Sequence, residues 1–167
     1  MTANSSRLQP ILLLLLAFTI GPREASAQGK EDSTTWKLIS KCGLTFSIPS
    51  SLEAKEVHEI DSCLGVYETE DLSVSFDYGL YSGVSNLPHY LNLKEEPILI
   101  DRRPGQFASY QDTTMDPSCN RVARLFVVTK PPKGVWGVTA LNMFVVGRDE
   151  KSTSIARKIF ASIRIKR

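Results

Sequence analysis

The stretch Arg121–Ile163 reads RVARLFVVTK, PPKG, VWGVTALNMFVVG and RDEKSTSIARKIFASI. Two apolar runs flank a Pro-Pro-Lys-Gly turn, which predicts a β-hairpin. Through Val135–Val146 the apolar residues are nearly continuous. A strand buried on both faces has this composition, so this one is expected in the middle of a sheet. Asp149 follows as an N-cap, with Glu150 in the first turn where the helix dipole favours an acid. Ile155, Ile159, Phe160 and Ile163 then fall on one helical face, while Lys151, Arg157 and Lys158 lie off it. Arg164, Lys166 and Arg167 suit the helix C-terminus or a solvated tail. The stretch therefore predicts a hairpin with a C-terminal helix packed on it.

Upstream, short strands predominate. Leu44, Phe46 and Ile48 alternate with polar residues until Pro49, the period of a half-buried strand. A short strand is expected around Lys55–Glu59. Cys63–Thr69 and Leu72–Leu80 form a clearer pair, turning at Glu68–Asp71. Gly83, Ser85, Asn86 and Pro88 make Tyr81–Glu96 a loop, with one helical turn near His89–Leu93. Ile98–Ile100 and Phe107–Gln111 read as strands about a tight turn at Pro104-Gly105. Thr113–Asn120 is a second loop. The expected class is α+β: a mainly antiparallel, meandering sheet of about six to seven strands against a C-terminal helix.

The N-terminus has a different character. Arg7 precedes the apolar run ILLLLLAFTIG, and Ala25-Ser26-Ala27 follows. This is the layout of a secretory signal over 1–27, with an apolar core too short to span a bilayer. Residues 28–40 are expected to be a flexible lead-in, and 41–167 one domain. Taking Arg7, Arg23 and Glu24 away from 20 basic and 18 acidic residues leaves a net charge near +1. Such a balance argues against nucleic acid held by bulk charge. The signal layout implies a secreted or periplasmic protein with no integral membrane segment after cleavage. Outside the cell, cysteines oxidise. Three are present, so one pair and one free thiol are expected. All three pairings are geometrically open; Cys42–Cys63 needs the shortest loop and is preferred, which would leave Cys119 free.

Candidate chemistry is sparse. His58, Glu59 and Asp61 form an HEID segment, but strand alternation sends His58 and Glu59 to opposite faces, and no metal-ligand spacing is present. A hydrolase assembled from His58, His89 and Asp61 is an alternative. No G-x-S-x-G elbow accompanies it. Arg102, Arg103, Arg121 and Arg124, with Lys130 and Lys133, either form a local basic patch or solvate turns. Tyr78, Tyr81, Tyr90 and Tyr110 either pack in the core or line a groove for a ligand. No cofactor is expected.

The opening LTFSIPSSL, the run of short strands and the closing EKSTSIARKIFASIRI together resemble the PsbP-like α/β/α sandwich family of extrinsic photosystem proteins and exported bacterial relatives. The resemblance implies a second helix, placed within Gly83–Leu93, and an accessory role without common catalytic residues. The functional expectation is an exported, non-enzymatic accessory or binding module whose partner is a protein or envelope component. An exported hydrolase and a small-molecule or lipid carrier are the alternatives.

Overall fold

Cys42 and Gly43 both take positive φ, 52° and 79°. That conformation matches the twist of a two-residue hairpin. It closes β1 (Trp36–Lys41) onto β2 (Leu44–Pro49), with Lys41 opposite Leu44. The computed structural model describes residues 34–58, 61–80, 90–129 and 139–166. β1 occupies the end of the expected lead-in. Its side chains are only half-buried, and Leu38 is exposed, so its apolar signal is weak.

The next strands are β3 (Glu53–Lys55), β4 (Ser62–Glu68) and β5 (Leu72–Gly79). After them come β6 (Tyr90–Ile100), β7 (Arg103–Asp112), β8 (Arg121–Thr129) and β9 (Thr139–Gly147). The helix α1 (Glu150–Ser162) and a two-residue β10 (Arg164–Ile165) end the described chain. Among the described residues, seven strands form one antiparallel sheet in the order β3-β4-β5-β9-β8-β7-β6, and a second sheet runs β1-β2-β10.

Two features depart from a simple meander. First, β2 belongs to the smaller sheet. Second, β9 inserts between β5 and β8, the central place expected of a strand buried on both faces. Its first expected residues, Val135–Val138, and the Pro-Pro-Lys-Gly turn lie outside the described residues. The strand expected at Lys55–Glu59 is instead Glu53–Lys55. The turn expected at Pro104-Gly105 lies at Asp101-Arg102, both left-handed at φ 47° and 66°. Pro104 and Gly105 sit within β7. β6 is longer than expected and takes in Tyr90–Leu93, so that part of the implied second helix is strand. The rest of Gly83–Leu93 lies outside the described residues. The loop at Thr113–Asn120 contains a single 3-10 turn, Pro117–Cys119, capped by the Asp116 carboxylate.

The core lies on one face of the large sheet, under α1 and the small sheet. Leu44, Phe46 and Ile48 from β2 meet Phe76, Leu125, Leu141 and Met143 from the large sheet. α1 packs on β8, β9 and β2 through Ala156, Ile159 and Phe160. Asp149 caps it, accepting hydrogen bonds from the Lys151 and Ser152 amides at 3.0 and 3.3 Å. Ile163, fully buried, caps the C-terminal end. Arg164 donates to the Ala161 and Ile163 carbonyls at the helix C-terminus and, like Lys166, is exposed, while Ile165 between them enters the core and draws β10 onto β2. A Cys42–Cys63 disulfide, with Cα atoms 6.3 Å apart, ties the β1–β2 turn to the start of β4 and so staples the two sheets.

Candidate functional site

The large sheet's buried face becomes polar towards one end. Along β7 it reads Phe107, Ser109, Gln111; along β8, Leu125, Ala123, Arg121; along β6, Ile100, Ile98, Glu96, Lys94. The apolar members belong to or pack on the core, and the polar members lie beyond it. Above them stands the first half of α1. Its Glu150, Thr153, Ser154 and Arg157 are spaced i, i+3, i+4 and i+7, so they share one face. Between the strand ends and this face runs a groove of about 580 Å³. Asn92, Lys94, Ser109, Gln111 and Arg121 line the strand side, with Tyr110 at its border.

Three cations from three elements converge here. Arg157 is held firmly: its guanidinium pairs with Glu96 at 2.5 Å and lies 4.1 Å from the Phe107 ring centroid. The ring's negative face attracts the cation. Arg121 reaches the Glu150 carboxylate at 3.8 Å, and that side chain is 87% exposed. Exposed pairs of this kind contribute about 0–1 kcal/mol, so Glu150 is a loose partner. Lys94 has no ion-pair partner among the described residues. Asn92 donates to the Gln111 side-chain oxygen at 2.8 Å. It sits in left-handed backbone (φ 57°) where β6 gains a residue between Leu91 and Lys94. A bulge of this kind re-aims side chains at a sheet edge. The arrangement can bind and orient anionic and hydrogen-bonding groups.

The tyrosines do not assemble into one site. Tyr90 and Tyr110 stack on the sheet's opposite face, ring centroids 3.7 Å apart and planes 16° apart. Burial, then the hydrogen bond with Tyr90, pushes the Tyr110 phenol well above its ordinary pKa. Tyr78 packs on the main core from β5, on the other side of the sheet. Tyr81 lies outside the described residues. The basic patch divides as well. Arg121 lines the groove, whereas Arg124 is buried on the opposite face. There it donates to Asn142 at 2.9 Å and lies 5.4 Å from the Phe144 ring centroid. Arg103 pairs with Asp101 at 2.7 Å in the β6–β7 turn, and Arg102 is exposed there. Lys130 and Lys133 are outside the described residues, as are Glu59 and His89. His58 and Asp61 are exposed. Cys119 is a free thiol in the 3-10 turn. Sequence reasoning missed Lys94 and Arg157 as site residues. Only their fold positions bring them to Arg121.

The arrangement of strands and helix has a counterpart. It is similar to the solution structure of cyanobacterial PsbP (CyanoP) from Synechocystis sp. PCC 6803, with a TM-score of 0.50 over 82% of this chain and 96% of that one. The fold is PsbP-like. At 14% sequence identity the likeness is one of fold alone. No protein-family model matches the chain, and no curated protein does.

Proposed function

We propose that this chain is an exported, non-enzymatic accessory module that binds a partner protein through the groove between α1 and the ends of β6, β7 and β8. The observation that carries the reading is the convergence of Lys94, Arg121 and Arg157 on one polar groove. Binding sites favour concave surfaces with a few fixed polar groups, and Arg157 is such a group. The PsbP-like fold supports an accessory role, since the family the sequence resembles is better known for accessory proteins than for catalysis. The signal layout over 1–27 and the Cys42–Cys63 bond support export, because disulfides persist in oxidising compartments. The carrier alternative has less support. Phe107 and Phe160 meet edge to face at 6.0 Å between sheet and helix, where a lipid cavity would lie. The hydrolase alternative rests on His58, His89 and Asp61: His58 and Asp61 are exposed and neither lines the groove, and His89 lies outside the described residues.

Photo-crosslinking in the producing cell tests the proposal. A benzophenone amino acid at Thr153 reports on the groove, and one at the exposed Glu56 serves as control. The expected result is a discrete adduct from Thr153 that is absent from Glu56 and abolished by Arg121→Glu. Equal adducts from both positions, or a Thr153 adduct indifferent to Arg121→Glu, would overturn it.

A further inference from the structure

We infer that the ligand of this groove is an acidic peptide segment, roughly two or three Asp or Glu side chains of a partner meeting Lys94, Arg121 and Arg157. The inference rests on the proposed use of the groove for binding. It names the chemistry of the ligand.

Charge comes first. Lys94 is a cation with no ion pair among the described residues. Arg121 holds Glu150 only at 3.8 Å, and the carboxylate is mostly in solvent, so an incoming carboxylate can replace it. Arg157 is already oriented by Glu96 and Phe107, so little side-chain entropy remains to be lost when it meets an anion. Guanidinium groups present forked donors that match a carboxylate.

The rest of the lining favours a peptide over other anions. Thr153, Ser154 and Ser109 supply hydroxyls. Asn92 fixes the Gln111 amide through its oxygen, which leaves the Gln111 amide hydrogens to meet a main-chain carbonyl. A long polyanion wants a basic track, and the whole chain carries only +2. Glu150 and Glu96 at the rim further disfavour a continuous run of negative charge. A short segment with separated carboxylates fits both the cations and the acids between them.

The test is fluorescence anisotropy of the purified chain with a labelled eight-residue peptide carrying three Glu among Gly and Ser, beside the same peptide with Gln for Glu. The Glu peptide is expected to bind, to weaken as salt rises, and to bind at least about tenfold more tightly than the Gln peptide. Lys94→Glu and Arg121→Glu should each lower its affinity by about tenfold or more at an unchanged melting temperature. Three outcomes overturn the inference: equal binding of the two peptides, binding unaffected by both variants, or stronger displacement by a sulfated oligosaccharide than by unlabelled Glu peptide. The last would assign the groove to an anionic glycan. If the peptide fails while the Thr153 adduct persists, the acidic chemistry is wrong and the binding role stands. If both fail, the groove is not the binding site.

Discussion

Gly65→Ala should destabilise this protein through a single contact. Gly65 lies on the core face of β4, directly across from Phe76 on β5. A Cβ built on Gly65 falls 2.2 Å from Phe76 Cε1, 2.7 Å from Cζ and 3.0 Å from Cδ1. Carbon pairs are comfortable at about 3.5–4.0 Å, so the ring must retreat by more than about 1 Å. It has little room. Phe76 is 3% exposed, and the fully buried Phe46 stands edge to face with it at 5.5 Å. Overpacking of this kind costs about 1–3 kcal/mol, and the missing ångström places this case at the upper end. Replacing Gly restricts the unfolded chain and returns about 0.4–1 kcal/mol. The net expectation is a loss of about 2 kcal/mol, or roughly 8 °C in melting temperature at about 4 °C per kcal/mol for a unit of this size. Urea unfolding followed by circular dichroism measures it. Phe76→Leu removes the ring edge that Ala would strike. The double variant should therefore be more stable than the sum of the single effects implies, by about 1 kcal/mol or more. A neutral Gly65→Ala, or strict additivity with Phe76→Leu, would show that the ring does not occupy the space left by the missing Cβ.

Removing the disulfide with Cys42→Ser and Cys63→Ser should cost about 3 kcal/mol, because the bond closes a sequence separation of 21 residues in the unfolded chain. Urea midpoints measure this, and a loss below about 1 kcal/mol would show that the unfolded chain is not constrained as supposed. Asp101 links the β6–β7 turn to β10. The Ile165 amide, 3.2 Å away, and then Arg103 hold its carboxyl below the usual range. Its folded pKa is therefore lower than its unfolded value of about 3.9. The stabilisation is complete above that value and is lost as pH falls through the folded pKa. Asp101→Asn should flatten the acid limb of stability against pH, and parallel curves for the two proteins would refute the link.

The legible parts of the fold are those where one side chain pattern serves one environment. β5 alternates cleanly, since Val74 and Phe76 enter the core while Ser73 and Ser75 face away. α1 shows its buried stripe for the same reason. β6 escaped because it is a sheet edge, exposed along most of its length, and so lacks apolar alternation. Its turn escaped because Asp101-Arg102 is a poor signature for two residues at positive φ, where Asn-Gly or Asp-Gly is usual. Asp101 compensates by bonding to Arg103 and Ile165. The groove as a site was not legible: of its cations only Arg121 stands out in the sequence, within a basic patch that the fold divides. Lys94, Arg121 and Arg157 are far apart in the chain, and each by itself reads as an ordinary surface cation.

Arg124 shows why a basic residue in the sequence is a poor guide to the site. β9 carries apolar residues on both faces: Leu141, Met143 and Val145 towards the helix, and Ala140, Phe144 and Val146 away from it. Hydrophobicity alone therefore says little about which face belongs inside. A one-residue slip would exchange the two faces. Asn142 breaks the tie. It is 7% exposed and accepts the Arg124 hydrogen bond on the face away from α1, with Asp77 of β5 opposite it in the ladder. A slip would drive Asn142 into the core among Leu125 and Phe160 and part it from Arg124. Each orphaned buried polar group costs about 1–3 kcal/mol. The arginine, 3% exposed, thus serves to fix strand register. Arg121 and Arg124 are three positions apart on one strand, an odd spacing that sends them to opposite faces. Of that pair, Arg121 alone reaches the groove.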